Sequence, residues 1–387
     1  MNFVLTDYEE LLCLCMRHND YLEEERIRAL FAQVDEEVFF SEAKINGVAS
    51  IVADALIKVF SRNSVSECWL KEFERVADTT GSYMAALDIA ADLLAAHDIR
   101  MVGLKNSGIT RGLYSRYGAS PMGDLDVLVL EEEFSKAHKV LSDNGFKLKF
   151  RSALETDTIE SAIKSGGAEY SYTLPNGKNL WFELQFRPVA GRWITAEREP
   201  NTSELVARSV SISGSAVRLL SPVDNLIQVA LHTAKHSFVR APGFRLHTDV
   251  DRIVSEQKID WELFELKVSD LRVKVAVYIS LSMAKCLLNT PIPSETLIRL
   301  KPSNMKVFLL NSWLTRVGIF RPDEPKWSKL GYVIFVCLLF DDLSSFMGAL
   351  FPEKNELRKL YPSLSANIWM LGYVLRIGDL MLKRNRV

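Results

Sequence analysis

The sequence predicts an α+β protein, with a small mixed sheet and its helices at the centre of the chain and helical segments on either side. Three observations carry this prediction. Apolar side chains recur at helical spacing through residues 1–97 and again through 216–387, while residues 98–215 alternate strand-like and helix-like runs. Within that middle part, Asn176-Gly177-Lys178 separates two apolar runs, and Asn-Gly tolerates the positive φ angles of a tight hairpin turn. The expected organisation is therefore an N-terminal helical region (1–97), a core (98–215) and a C-terminal helical domain (216–387).

Composition narrows the function classes. The 387 residues carry 47 Lys+Arg against 49 Asp+Glu, a net charge of −2, without the basic excess of a protein that coats nucleic acid. Apolar residues make up 48%, enough for a sizeable core and too many for a disordered chain. The cysteines at 13, 15, 68, 286 and 337 are odd in number and form no CxxC pair, which argues against a zinc ribbon or a disulfide framework. The start, MNFVLTDYEELL, lacks a basic segment followed by an apolar one, so a cytoplasmic location is expected. The longest apolar run, Tyr332 to Phe340, falls short of the ~20 residues that span a bilayer and reads as a buried helix.

Taken in order, the N-terminal helices have Asp7 and Ser41 as expected N-caps. IRMVGL, from Ile99, reads as a short strand that KNSG interrupts, and ITRGLYSRYG as a short helix ending in the turn GASPMG. DVLVL (126–130) is a continuous apolar strand of the kind buried on both faces. FSKAHKVLSDNGF returns to helix and stops at Asn144-Gly145. AEYSYTLP and NLWFELQF form the hairpin, and helical periodicity resumes at Ser221-Pro222 with breaks at prolines 291, 293, 302, 322 and 352.

The chemistry concentrates in MGDLDVLVL. Asp124 and Asp126 are two apart on an expected strand, so both side chains leave one face, with Cβ atoms about 7 Å apart. Two adjacent carboxylates raise each other's pKa unless a cation neutralises them, and Mg²⁺ is the natural partner for hard oxygen ligands beside phosphates. Glu183, in the middle of an apolar strand, completes a triad if that strand lies beside DVLVL. Otherwise it sits on an edge strand facing water. A second Asp-x-Asp, Asp249-Val250-Asp251, leads into a helical region and is a weaker metal candidate. Gly103-Leu104-Lys105-Asn106-Ser107-Gly108 lies between strand and helix, where backbone N–H groups and Lys105 can cradle phosphate.

Together these residues resemble the nucleotidyltransferase superfamily typified by DNA polymerase beta, and more closely the bacterial uncharacterised nucleotidyltransferase family. The matching residues are Val102-Gly103-Leu104-Lys105, Gly123-Asp124-Leu125-Asp126-Val127-Leu128-Val129 and Glu183-Leu184, followed by His232-Thr233-Ala234-Lys235-His236 and Asp249. Asn106, Ser120 and Gln185 depart from the pattern, standing where Gly, Arg and His are usual. The resemblance implies a polymerase-beta-like core and transfer of a nucleoside monophosphate from an NTP to a hydroxyl, with release of pyrophosphate. It implies Mg²⁺, or Mn²⁺ in its place, on Asp124, Asp126 and Glu183, with Glu183 helping to take the hydroxyl proton. Nucleotide contacts are expected from Lys105, Asn106, Ser107, Lys235 and His236. The acceptor is expected to be a small molecule, a glycan intermediate or a peptide or protein hydroxyl, because nothing marks a long polyanion. Three alternatives stay open: zinc on His232 and His236 with His247 or Asp249, a degenerate member that binds a nucleotide or partner without catalysis, and a helical scaffold.

Overall fold

The computed structural model describes residues 4–151, 156–187, 193–194, 198–236, 243–321, 329–351, 357 and 370–375. Five helices open the chain: α1 (Asp7–Cys15), α2 (Glu24–Phe31), α3 (Glu36–Ile45), α4 (Ala49–Phe60) and the long α5 (Glu67–Ala95). The caps differ from expectation by local competition. Thr6, one residue before Asp7, caps α1 through a reciprocal capping box with Glu9. Asp35 caps α3, its Oδ1 accepting from Val38 N at 2.9 Å, so Ser41 lies inside that helix.

The core follows as β1 (Val102–Leu104), α6 (Lys105–Leu113), β2 (Leu125–Leu128), α7 (Phe134–Asp143), β3 (Lys147–Leu148), α8 (Ile159–Ser165), β4 (Gly167–Thr173), β5 (Asn179–Gln185), α9 (Thr202–Arg208), β6 (Val210–Ser211) and β7 (Arg218–Leu219). The expected hairpin is present, with Gly177 at φ 78° between antiparallel β4 and β5. The seven strands lie in the order β3-β4-β5-β2-β1-β7-β6. Strands β2 and β5 are parallel, as are β1 and β7, while β1 and β2 are antiparallel. The sheet is therefore mixed. Its short strands β3, β6 and β7 carry only two residues each, too few for an alternation to be visible in sequence.

Among the described residues that follow, the helices include α10 (Pro222–His236), α11 (Leu246–Glu256), α12 (Trp261–Asp270), α13 (Lys274–Leu288), α14 (Ser294–Leu300), α15 (Asn304–Val317), α16 (Lys329–Leu338) and α17 (Leu343–Leu350). Prolines 291, 293 and 302 fall between helices as expected, while 322 and 352 lie outside the described residues. The apolar run at 332–340 enters α16 and buries Phe335, Leu339 and Phe340, yet Ile334 is 43% exposed, so one face of the helix is covered. Among the described residues, no helix is long and apolar enough to cross a membrane.

Burial explains the layering. Leu125, Val127 and Val129 point to one face of the sheet and pack with Leu87, Ala90 and Leu94 of α5 and with Phe134 and Leu141 of α7. On the opposite face, Val102, Leu104, Leu128 and Leu220 pack with Leu205 and Val206 of α9. Leu11 to Val59 at the start of the chain and Val223 to Phe340 near its end contribute to one hydrophobic cluster, so the flanking helices share a core.

Candidate active site

The site begins where β1 turns directly into α6. Lys105 takes φ 47°, and the helix starts at Lys105 itself, so the whole of Lys-Asn-Ser-Gly forms its first turn instead of a separate loop. Close approach requires glycine on both sides of this turn. A Cβ on Gly108 would lie 2.4 Å from Gly103 O, and one on Gly103 would lie 2.8 Å from Gly108 Cα. With strand and helix held this tightly, Ser107 Oγ reaches β2 and accepts from Asp126 N at 2.7 Å.

Strand pairing assembles the acids. Asp126 pairs with Leu104 across β1 and with Glu183 across β5, so Glu183 lies beside the Asp-x-Asp strand and away from any sheet edge. Asp124 immediately precedes β2. Glu169 of β4 pairs with Glu183 in turn and brings a fourth carboxylate to the same row. Directly paired residues share a face. Asp126, Glu183 and Leu104 therefore share the face that carries α9.

Two cations sit on these acids. Lys105 Nζ is 2.7 Å from Asp126 Oδ1. Arg151 contacts Asp124 at 2.8 Å, Glu169 at 3.2 Å and Glu183 at 3.6 Å, and its guanidinium lies 5.7 Å from the Trp181 ring centroid. Gln185 Nε2 donates to Asp126 Oδ1 at 3.2 Å, and Gln228 Oε1 of α10 accepts from Lys105 N at 3.2 Å.

Electrostatics follow from crowding. Burial raises Glu183, the negative charge of Asp126 adds to it, and the carboxyl is pushed up to about 8. Asp124 is raised for the same two reasons, against the opposing pull of Arg151. Asp126 is buried too, but the charge of Lys105 and the hydrogen bond from Glu183 prevail and hold it below the usual carboxylate range. Burial alone would lower Lys105, yet the charges of Asp126 and Glu183 outweigh it and keep the ammonium protonated.

The other expected contacts fall into two groups. Lys105 lies on the carboxylates, and Ser107 is wholly buried with its hydroxyl accepting from the Asp126 backbone. Asn106, with its amide oriented to satisfy both neighbours, donates to Asp249 Oδ2 at 2.8 Å and accepts from Arg245 Nη1 at 3.2 Å. It thus faces α11 and ties the helix start to it. Lys235 and the buried His236 end α10, and the His232 and His236 rings meet edge to face at 4.9 Å. Burial lowers His232, and the nearby charge of Lys105 lowers it further.

The second Asp-x-Asp lies inside α11, where residues two apart leave different faces. Asp249 meets Asn106, while Asp251 accepts from Thr290 Oγ1 at 2.6 Å and from His18 N at 2.9 Å. Ser120, where the resemblance has Arg, is buried and bonded to Thr110 Oγ1 at 2.6 Å. Arg151 and Glu169 escaped the sequence reading. Arg151 lies in no recognisable motif, and the register that opposes Glu169 to Glu183 was the one available signal.

Among the described residues, no three His, Cys, Asp or Glu side chains are gathered as a ready metal site. The donor set nevertheless suits a hard divalent cation. Asp124, Asp126, Glu169 and Glu183 offer only oxygen ligands and outnumber Lys105 and Arg151 by two charges when ionised.

Comparison with known proteins gives a family. A crystal structure of an antigenic nucleotidyltransferase-like protein from Paracoccidioides brasiliensis is 14% identical, the match covering 56% of this chain and 97% of that one at a TM-score of 0.33. A search of curated proteins gave no match. The pattern of the uncharacterised nucleotidyltransferase family spans residues 32–289, from α3 through α13 and across every residue of the carboxylate site, and the chain belongs to that family.

Proposed function

We propose that this protein transfers a nucleoside monophosphate from an NTP to a hydroxyl on a small molecule, a glycan intermediate or a peptide or protein, releasing pyrophosphate. The observation that carries this reading is the pairing of Asp126 with Glu183 on adjacent strands, with Asp124 two residues away and Lys105 in reach of Asp126. Asp124, Asp126 and Glu183 would hold Mg²⁺, or Mn²⁺ in its place, and when bound the ion supplies Lewis-acid stabilisation of phosphate and of the attacking oxygen.

The chain's own residues perform the rest. Ser107 and Gln185 fix Asp126, one through its backbone and one through its carboxylate. Lys105, in the first turn of α6, brings a positive charge to the place where phosphate and carboxylates meet. Burial and the charge of Asp126 push Glu183 up to about 8, which suits a group that exchanges a proton with the acceptor hydroxyl. Lys235 and His236, at the end of α10, are the proposed further contacts to the triphosphate.

The Lys105–Asp126 and Arg151–Asp124 ion pairs favour a second reading, in which the site binds a nucleotide or partner without turnover. Calorimetry with each NTP, with and without Mg²⁺, and an assay of pyrophosphate release separate the two, because binding with no release under any acceptor supports the second. A mass-spectrometric search for NMP adducts supplies the acceptor. Unchanged transfer in the Asp124→Ala/Asp126→Ala double variant would overturn the first reading.

A further inference from the structure

A cleft of about 180 Å³ lies beside α9, α10 and α12. Its apolar wall is Leu205, Leu220, Ile227 and Leu271. It opens on the same sheet face as the carboxylates. Leu220 directly follows β7, which runs parallel beside β1 with Gly103 opposite Leu219, and so comes level with Leu104, the residue paired with Asp126. At one strand spacing of about 4.8 Å per step, the cleft wall is about 10 Å from the strand that bears Asp126.

Gln228 joins the two places. It lines the cleft, and its Oε1 accepts from Lys105 N at the start of α6. The cations of the polar floor, Arg208 and Lys267, are already paired with carboxylates. Asp224 accepts from Arg208 Nε at 3.0 Å and Nη2 at 3.2 Å, from Lys267 Nζ at 2.7 Å and from Ser221 Oγ at 2.6 Å. The remaining Arg208 nitrogen donates to Glu204 at 3.0 Å. Every nitrogen of Arg208 thus has a carboxylate, and the floor has no guanidinium left to recognise a phosphate.

Size adds a second constraint. Whole-ligand sites run to about 300–1,000 Å³, so a cleft of this volume takes one uncharged part of a molecule whose remainder lies elsewhere. We propose that the cleft receives the nucleoside end of the NTP, base and ribose against the aliphatic wall, while the triphosphate extends past Gln228 to Lys105 and the carboxylates. This inference rests on the nucleotidyltransferase reading and adds the place where the base is held.

The test compares Mg²⁺-loaded NTPs with inorganic tripolyphosphate, which has no nucleoside, by calorimetry on the full chain. Leu271→Trp fills the cleft from the end of α12, and Leu271→Ala widens it; circular dichroism and thermal melting verify that each folds. Filling is expected to weaken NTP binding at least tenfold, roughly the scale of a lost apolar pocket contact, and to leave tripolyphosphate binding unchanged. Widening is expected to reduce the discrimination among ATP, GTP, CTP and UTP. NTP binding unaltered by Leu271→Trp would overturn the assignment, and if turnover nevertheless fell the cleft would belong to the acceptor. Equal loss of NTP and tripolyphosphate would overturn it as well. A wild-type chain that binds neither probe would sink the nucleotidyltransferase reading itself, a result distinct from failure of the cleft alone.

Discussion

Asp126 and Glu183 stand opposite one another on the parallel strands β2 and β5, the first held in its ionised form by Lys105 and the second pushed up to about 8. The asymmetry comes from which carboxylate the ammonium touches. Loss of either acid removes a proposed ligand. Asp124→Ala/Asp126→Ala is expected to weaken Mg²⁺-dependent NTP binding and any transfer by more than about 100-fold, since even outer partners of metal ligands are worth 10–100-fold. Titration calorimetry and a pyrophosphate-release assay read both quantities.

Proton release should accompany divalent-cation binding, because Glu183 must lose its proton to become a ligand. Affinity for Mn²⁺ or Mg²⁺ is expected to rise as pH approaches 8 and then level off. Calorimetry in buffers of different ionisation enthalpy counts the proton, and Glu183→Gln should abolish its release.

Gln185 donates to the same Asp126 oxygen that Lys105 meets. Gln185→Ala is expected to weaken divalent-cation binding about tenfold with little change in melting temperature, as for an outer partner that orients a ligand. If affinity were unchanged, Gln185 would be only a packing residue.

Gly108→Ala should destabilise the chain by about 1–3 kcal/mol, the range for forced overpacking, because its Cβ would meet Gly103 O at 2.4 Å. Denaturant unfolding measures the loss. Since the strained turn positions Lys105, NTP binding should weaken as well.

Asp249 supplies a pH dependence away from the carboxylate row. Burial raises it from the ordinary 3.8 to about 6. The folded state therefore holds this proton more tightly than the unfolded state does. The group's stabilisation is complete below about pH 4, declines as pH rises, and is lost above about 6. At 1.36 kcal/mol per pH unit the difference is about 3 kcal/mol. Unfolding followed from pH 4 to 7 should show a shallower decline in Asp249→Asn, which keeps an oxygen to accept from Asn106.

The local pattern revealed the elements with enough residues to display a period. The apolar strand at 125–128 and the hairpin around Gly177 were both legible. Ser107 illustrates a limit, because the local pattern of a phosphate cradle does not show that its hydroxyl accepts from the Asp126 backbone, 19 positions away. Arg151 shows another. Its importance comes from lying within 4 Å of three carboxylates that are 18 to 32 positions away in sequence, a relation no local pattern records.

By itself the sequence determined that two carboxylates begin a buried strand, that a third interrupts another apolar strand, and that a glycine-flanked turn precedes them. Side-chain alternation and turn chemistry are local properties, so they are written in neighbouring residues. Only the tertiary structure decided that β5 lies parallel beside β2, that Lys105 and Arg151 sit on the acids, and that the first and last helices share one core. Those outcomes depend on which apolar faces are buried together across long separations, and the burial of whole surfaces is not encoded in any single segment.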